Sequence, residues 1–179
     1  MNDLGLVSII TPSYNCASFI RETIESIKTQ TYKNWELIIT DDCSTDNSCE
    51  IISEYVAKDP RIKLFHLDKN SGAGVARNNS IKEATGRFVA FCDSDDRWYP
   101  EKLEKQLAYM QAKDCAMSHT SYMTCSENDN ITGIIVCKKR ESLKSMCKDD
   151  KMGFLTVIYD TSKTGKIYMP ELRKRQDGL

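Results

Sequence analysis

Histidine is nearly absent from this chain: His66 and His119 are the only two in 179 residues, beside four prolines and two tryptophans. Two histidines and no Cys-x-x-Cys pair leave no zinc-module spacing, so the eight cysteines read as reduced thiols, several of them small core residues. Nothing in the sequence pairs a cysteine with either histidine, which removes the usual sign of a catalytic thiol. An excess of one charge is missing too. Lys and Arg number 25 against 26 Asp and Glu, a formal net charge of −1, so there is no basic footprint for nucleic acid or an anionic membrane surface. No apolar run approaches a membrane span, and no basic region precedes the first apolar stretch. Neither an integral membrane segment nor a signal peptide is therefore expected, and the default location is cytoplasmic.

What is present suffices for one globular domain with a sizeable core: 40% of residues are hydrophobic and 28% charged. Apolar runs at 7–11, 35–40, 62–67 and 88–92 read as strands, and a helical pattern follows each. Ile20, Ile24 and Ile27 share one face of a helix over 17–30. Ile52, Tyr55 and Val56 share a face of a second, closed by Asp59-Pro60, and a third runs over 75–84. Leu103, Leu107 and Met110 point inward from a fourth over 101–113. Pro12 is expected to end the first strand by removing a ladder donor. Strand and helix repeated four times predict an α/β fold: a mostly parallel central sheet flanked by helices, with right-handed crossovers. Beyond Lys113 the pattern changes to strands at 116–125 and 131–137, a short helix over 141–150, and further strands at 154–159 and 167–169. These extend the sheet and build the other wall of a cleft.

The fourth strand stops in three carboxylates within four residues: Asp93, Asp95 and Asp96. Like charges so close raise one another's pKa unless a cation sits among them. Oxygen ligands with no supporting His or Cys suit a hard ion, Mg²⁺ or Mn²⁺, which also holds substrate phosphates. Read blandly, the stretch is an acidic surface turn capping the next helix, but three aspartates exceed what a cap needs. Asp41 and Asp42 end the second strand, and the turn Ser13-Tyr14-Asn15 follows the first. Ligands of open α/β sheets bind beyond the carboxyl ends of strands, so these three turns meet at one edge. The loop 68–74 is glycine-containing but follows neither Gly-x-Gly-x-x-Gly nor a Walker sequence. Polar groups and carboxylates without a nucleophile–base pair fit binding of a nucleotide and a metal better than covalent hydrolysis.

Four segments in order, V-S-I-I-T-P-S-Y-N at 7–15, D-D-C-S-T-D at 41–46, G-V-A-R-N at 74–78 and D-S-D-D-R-W at 93–98, resemble family 2 glycosyltransferases of the GT-A fold. The resemblance implies a nucleotide-diphospho-sugar transferase fold with a Rossmann-like N-terminal half. It also implies inverting transfer from a nucleotide-diphosphate sugar, with uracil the typical base, to a saccharide or lipid-linked acceptor in cell-surface polysaccharide synthesis. Peripheral association with a membrane would be compatible with such an acceptor. On this resemblance Pro12, Tyr14 and Asn15 lie along the nucleoside, and Asp42 or Asp41 accepts from the base. Arg77 stabilises the nucleotide or its diphosphate. Asp93 and Asp95 form the DXD motif, Asp93 near ribose and metal and Asp95 as principal ligand to Mn²⁺ or Mg²⁺. Asp96 is a helix cap or a support behind those ligands. Gln176-Asp177 stands where the family has its acid motif, with Asp177 as general base, although Gln replaces the frequent Glu.

The resemblance divides the chain into a nucleotide-sugar half, 1–113, and a partial acceptor half, 114–179. The family usually continues past the acid motif, whereas this chain stops at Leu179. A truncated chain with an incompletely enclosed acceptor side is the expectation. One alternative is a glycosyltransferase-like module that binds nucleotide without turnover. Another is a nucleotidyltransferase, which would carry a basic Gly-rich loop after the first strand, and residues 11–16 are neither basic nor Gly-rich. A receiver-type phospho-acceptor domain would place its acid pair after the first strand, and it is disfavoured for that reason.

Overall fold

A computed structural model describes residues 4–126, 128, 130–137 and 152–170. Four β–α units come first: β1 (Val7–Ser13), α1 (Ile20–Lys28), β2 (Trp35–Asp41), α2 (Ser48–Val56), β3 (Ile62–His66), α3 (Ala73–Glu83), β4 (Phe88–Phe91) and α4 (Lys102–Lys113). Strands β5 (Met117–Ser118), β6 (Tyr122–Cys125), β7 (Ile131–Ile135) and β8 (Ile158–Asp160) follow. The six-stranded sheet has the order β3-β2-β1-β4-β8-β5. Strands β1 to β4 are mutually parallel, whereas β8 runs antiparallel to both β4 and β5. Strands β6 and β7 form a separate antiparallel hairpin.

Both faces of the sheet are covered, as its nearly uninterrupted apolar strands require. Val7, Ile9, Leu37, Ile39 and Ala90 pack against Ile20, Ile24 and Ile27 of α1 and Leu103, Leu107 and Met110 of α4. Ile10, Ile38, Val89 and Phe91 face the opposite way, toward Ile81 of α3, Tyr159 and Phe154. The alternation along each strand thus separates two cores, one on each face.

Several boundaries differ from those expected. Strand β1 runs through Pro12 to Ser13, because Ile10 O accepts from Cys92 N on the β4 side while Ser13 O accepts from Asp42 N on the β2 side. Pro12, two residues past Ile10, therefore turns its missing N–H toward β4, whose pairing with β1 has already ended at Phe91. The run 116–125 is divided: β5 joins the main sheet and β6 leaves for the hairpin. Phe154–Thr156 is a single 3₁₀ turn before β8. Residues 167–169 form no strand, since the Asn78 side chain occupies this backbone: Met169 N donates to Asn78 Oδ1 at 2.7 Å and Asn78 Nδ2 donates to Met169 O at 2.9 Å. The helix expected over 141–150 lies outside the described residues.

Candidate functional site

The strand order places β1 between β2 and β4, so the chain switches direction across the sheet at the carboxyl end of β1. Crevices open at such switch points. Along this edge Asp41 pairs with Ser13, and Cys92, next to Asp93, donates its N–H to Ile10 O at 3.1 Å. The three turns singled out in the sequence are adjacent there.

The first two turns are clasped together. Asn15, in the left-handed region at φ 48° that Asn tolerates, donates its N–H to Ser44 Oγ at 2.9 Å. Its own Oδ1 accepts from Thr45 N at 2.8 Å. Cys16 N donates to Ser48 Oγ at 2.8 Å and Ala17 N to Asp46 Oδ2 at 3.0 Å. Tyr14 is left 51% exposed at the mouth of the edge, while Pro12 is buried.

Asp41 and Asp42 are both buried, with different tasks. Asp41 accepts from Ser13 Oγ at 3.1 Å, Ser44 N at 2.8 Å and Ser44 Oγ at 2.5 Å, which shapes its own turn. Asp42 reaches the next loop: Ser71 N donates to its Oδ1 and Gly72 N to its Oδ2, each at 2.7 Å. Gly72 has φ 95°, a conformation for glycine, and it opens α3. Each carboxylate oxygen of Asp42 retains capacity for another donor.

The acidic turn after β4 is fastened to α1 by a row of side chains. Thr23 Oγ1 donates to Ser94 O at 2.9 Å, Trp98 N to Ser26 Oγ at 3.2 Å, and Arg97 Nη1 to Glu22 Oε2 at 2.8 Å. Gln30 at the end of α1 holds the start of α4, accepting from Leu103 N at 3.1 Å and donating to Tyr99 O at 2.8 Å. Helix α4 begins at Lys102, and its N-cap residue, Glu101, makes no side-chain capping bond. Asp93, Asp95 and Asp96 all precede this N-cap position.

Arg77, 4% exposed on α3, points at Asp93: its Nη2 donates to Oδ1 at 2.8 Å and to Oδ2 at 2.9 Å, and its guanidinium lies 4.9 Å from the centre of the Phe154 ring. Asp95 is exposed. Burial, with Asp93 and Asp95 beside it, pushes Asp96 up to about 7. Crowded oxygen donors that raise a neighbour's pKa in this way fit a hard divalent cation, which would relieve their repulsion. Gln176 and Asp177 lie outside the described residues. The Phe154 shelf beneath Arg77 was not foreseen from sequence, since it comes from 61 residues downstream of Asp93 with no local signal.

Beside the acidic turn lies a groove of about 480 Å³, lined by Trp98, Tyr99, Lys102, Tyr122, Met123 and Leu155 among the described residues. Trp98 Nε1 donates to Leu155 O at 3.0 Å, fixing the indole in the wall. Lys102 Nζ sits 4.0 Å from the centre of the Trp98 ring, and burial pushes its ammonium down to about 7.

Comparison with known proteins agrees with this fold. The chain is 45% identical over 177 residues to TuaG of Bacillus subtilis (strain 168), a glycosyltransferase assigned by name to teichuronic acid biosynthesis, covering 96% of this chain and 69% of that protein. It is 38% identical over 169 residues to WfgD of Escherichia coli, named a UDP-Glc:alpha-D-GlcNAc-diphosphoundecaprenol beta-1,3-glucosyltransferase, covering 94% and 66%. Among solved structures, residues 1–349 of TarS from S. aureus in complex with UDP superpose with a TM-score of 0.73 at 29% identity, covering 96% of this chain and 52% of TarS. The GT-A architecture expected from the resemblance is thus observed, and the chain spans between about half and about two-thirds of the length of these relatives. The family model for glycosyl transferase family 2 matches residues 8–167, and with relatives of this similarity the chain belongs to that family.

Proposed function

We propose that this chain is the donor-binding part of a metal-dependent inverting glycosyltransferase that moves a sugar from a UDP-sugar to a saccharide or lipid-linked acceptor in cell-surface polysaccharide synthesis. The observation that carries the reading is the acidic turn at the switch point: braced on α1, with Arg77 buried against Asp93 and with Asp95 exposed. TarS has been solved with UDP and with UDP-GlcNAc, and WfgD is named for a UDP-glucose donor and a diphosphoundecaprenol-linked acceptor, which supports the donor and acceptor classes.

In this reading residues 1–113 bind the donor and 114–179 contribute part of the acceptor side. Pro12, Tyr14 and Asn15 line the nucleoside, and Asp42, with Asp41 behind it, accepts from the base. Asp93 and Asp95 would hold Mn²⁺ or Mg²⁺, which would supply Lewis-acid stabilisation of a diphosphate's charge. Arg77 orients Asp93 and adds positive charge where the leaving group becomes more negative. Asp177 takes the acceptor hydroxyl proton as that oxygen attacks opposite the leaving group, inverting the anomeric centre. The groove along Trp98 and Tyr122 receives the acceptor. No helix among the described residues is long and apolar enough to cross a membrane. We place the reaction at the cytoplasmic side, with peripheral association wherever the acceptor is lipid-linked.

Titration of UDP-sugars by calorimetry with and without Mn²⁺ tests the metal: Asp95→Ala is expected to lose the metal-dependent part of donor binding, and unchanged binding would refute the ligand assignment. Asp177→Asn is expected to keep donor binding while transfer falls by about 10²-fold or more. Melting-temperature shifts across a panel of nucleotide sugars identify the donor, because ligands that bind only the folded state raise it.

A further inference from the structure

Three metal-ligating side chains of different chemistry converge at the carboxyl ends of β2 and β3, separated from the acidic turn by β1. Asp41 and His66 are paired residues in the parallel ladder, so their side chains leave the same face of the sheet. That face is the one carrying Trp35, Leu37 and Ile39 on β2 and Ile62 on β3, where Ile52 of α2 also packs. The first turn of α2 brings Cys49 over the pair, its Sγ 3.9 Å from His66 Nδ1. One ligand atom from each of Asp41, Cys49 and His66 lies within 4.8 Å of the other two.

We propose that Asp41, Cys49 and His66 form a second cation site, one that takes a borderline ion of the Zn²⁺ class with water in the fourth position. Thiolate, imidazole and carboxylate together suit tetrahedral Zn²⁺, and they do not suit the hard ions that prefer oxygen-only sites such as Asp93 and Asp95. Asp41 is already oriented by Ser13 Oγ, Ser44 N and Ser44 Oγ, the kind of supporting hydrogen bonds that fix a metal carboxylate. His66 is exposed and Cys49 half-buried, so both have room to close the last distance onto an ion. Binding exchanges the Cys49 thiol proton, released to solvent, for the metal. Because Ser44 Oγ also accepts from Asn15 N, an ion here would brace the loop that carries Asn15.

The test is a Co²⁺ titration of the chelator-treated chain, followed by absorption and then by competition with Zn²⁺. The expected result is one equivalent of Co²⁺ with a sulfur-to-cobalt charge-transfer band, displaced by Zn²⁺ and undiminished in Asp95→Ala. Cys49→Ser is expected to abolish the band. His66→Ala, which removes an exposed ring and does not threaten the core, is expected to weaken Zn²⁺ binding by more than about tenfold, since losing a ligand costs at least as much as losing a supporting group. Absence of the band in the parent chain, its persistence in Cys49→Ser, or unchanged Zn²⁺ affinity in His66→Ala would each overturn the site. Loss of donor binding in Asp95→Ala with the cobalt band intact separates this site from the donor site.

Discussion

Arg77 and Asp93 form an ion pair that joins helix α3 to the proposed metal turn. The guanidinium is 4% exposed and rests against Phe154, while the Asp93 side chain keeps 28% of its surface open. A charge buried on one side only leaves part of its cost when its partner is removed. Arg77→Gln is therefore expected to destabilise by about 2 kcal/mol, below the range for fully buried pairs because Asp93 remains partly hydrated. In urea unfolding, the cycle Arg77→Gln with Asp93→Asn should give a coupling energy of about 1–2 kcal/mol. Additive effects would mean that the pair is not formed in solution. Arg77 was legible in the sequence as a cation for the nucleotide. Its direct partner was not, because nothing in a 16-residue separation shows that a helix and a strand end will meet.

At the scale of elements, the sheet is assembled through connections that approach its strands closely. Gly86, which turns the chain from α3 into β4, is the tightest approach. A Cβ there would sit 2.6 Å from Leu6 O, 2.7 Å from Ser8 Oγ and 2.8 Å from Ser8 N. Two of these are backbone atoms that cannot rotate away. Gly86 N also donates to Ser8 Oγ at 2.8 Å, which in turn donates to Glu36 Oε1 at 2.6 Å. Gly86→Ala is expected to cost about 2–3 kcal/mol as overpacking, read as a lower urea midpoint with unchanged slope. The isoleucine spacing of α1 announces its buried face, and the margin of that face carries the unannounced role of holding the acidic turn through Glu22, Thr23 and Ser26. The run 116–125 failed as one strand because only Met117 and Ser118 find a partner in β8. Continuous β propensity does not reveal where a chain leaves its sheet.

At the scale of the whole molecule, stability depends on carboxylates held below their ordinary range. Burial pushes Glu36 up, but Lys63, Ser8 and Thr85 together outweigh it and its pKa is lowered. Asp160 follows the same pattern: Arg87 and Ser162 prevail over burial. Asp59 is lowered chiefly by Arg61. A group whose pKa is depressed in the folded state stabilises above its unfolded value and loses that contribution as pH falls through the folded one. These three carboxylates are expected to withdraw their contribution progressively below about pH 5, where unfolded carboxylates begin to protonate. Glu36→Gln should flatten the acid limb of stability against pH, and an unaltered slope would count against the Glu36 cluster as a source of it. Thermal unfolding across pH 2–7 measures both.

The sequence by itself determined the four β–α units, the two apolar faces of each strand and the gathering of aspartates at strand ends, because hydrophobic periodicity and turn chemistry are written locally. Tertiary structure alone decided that β1 lies between β2 and β4, that Ser71 and Gly72 close on Asp42, that Arg77 meets Asp93, and that Cys49 and His66 reach Asp41. Strand order is set by how the helices cross over and bury both faces at once, and contacts between elements far apart in the chain leave no pattern within either of them.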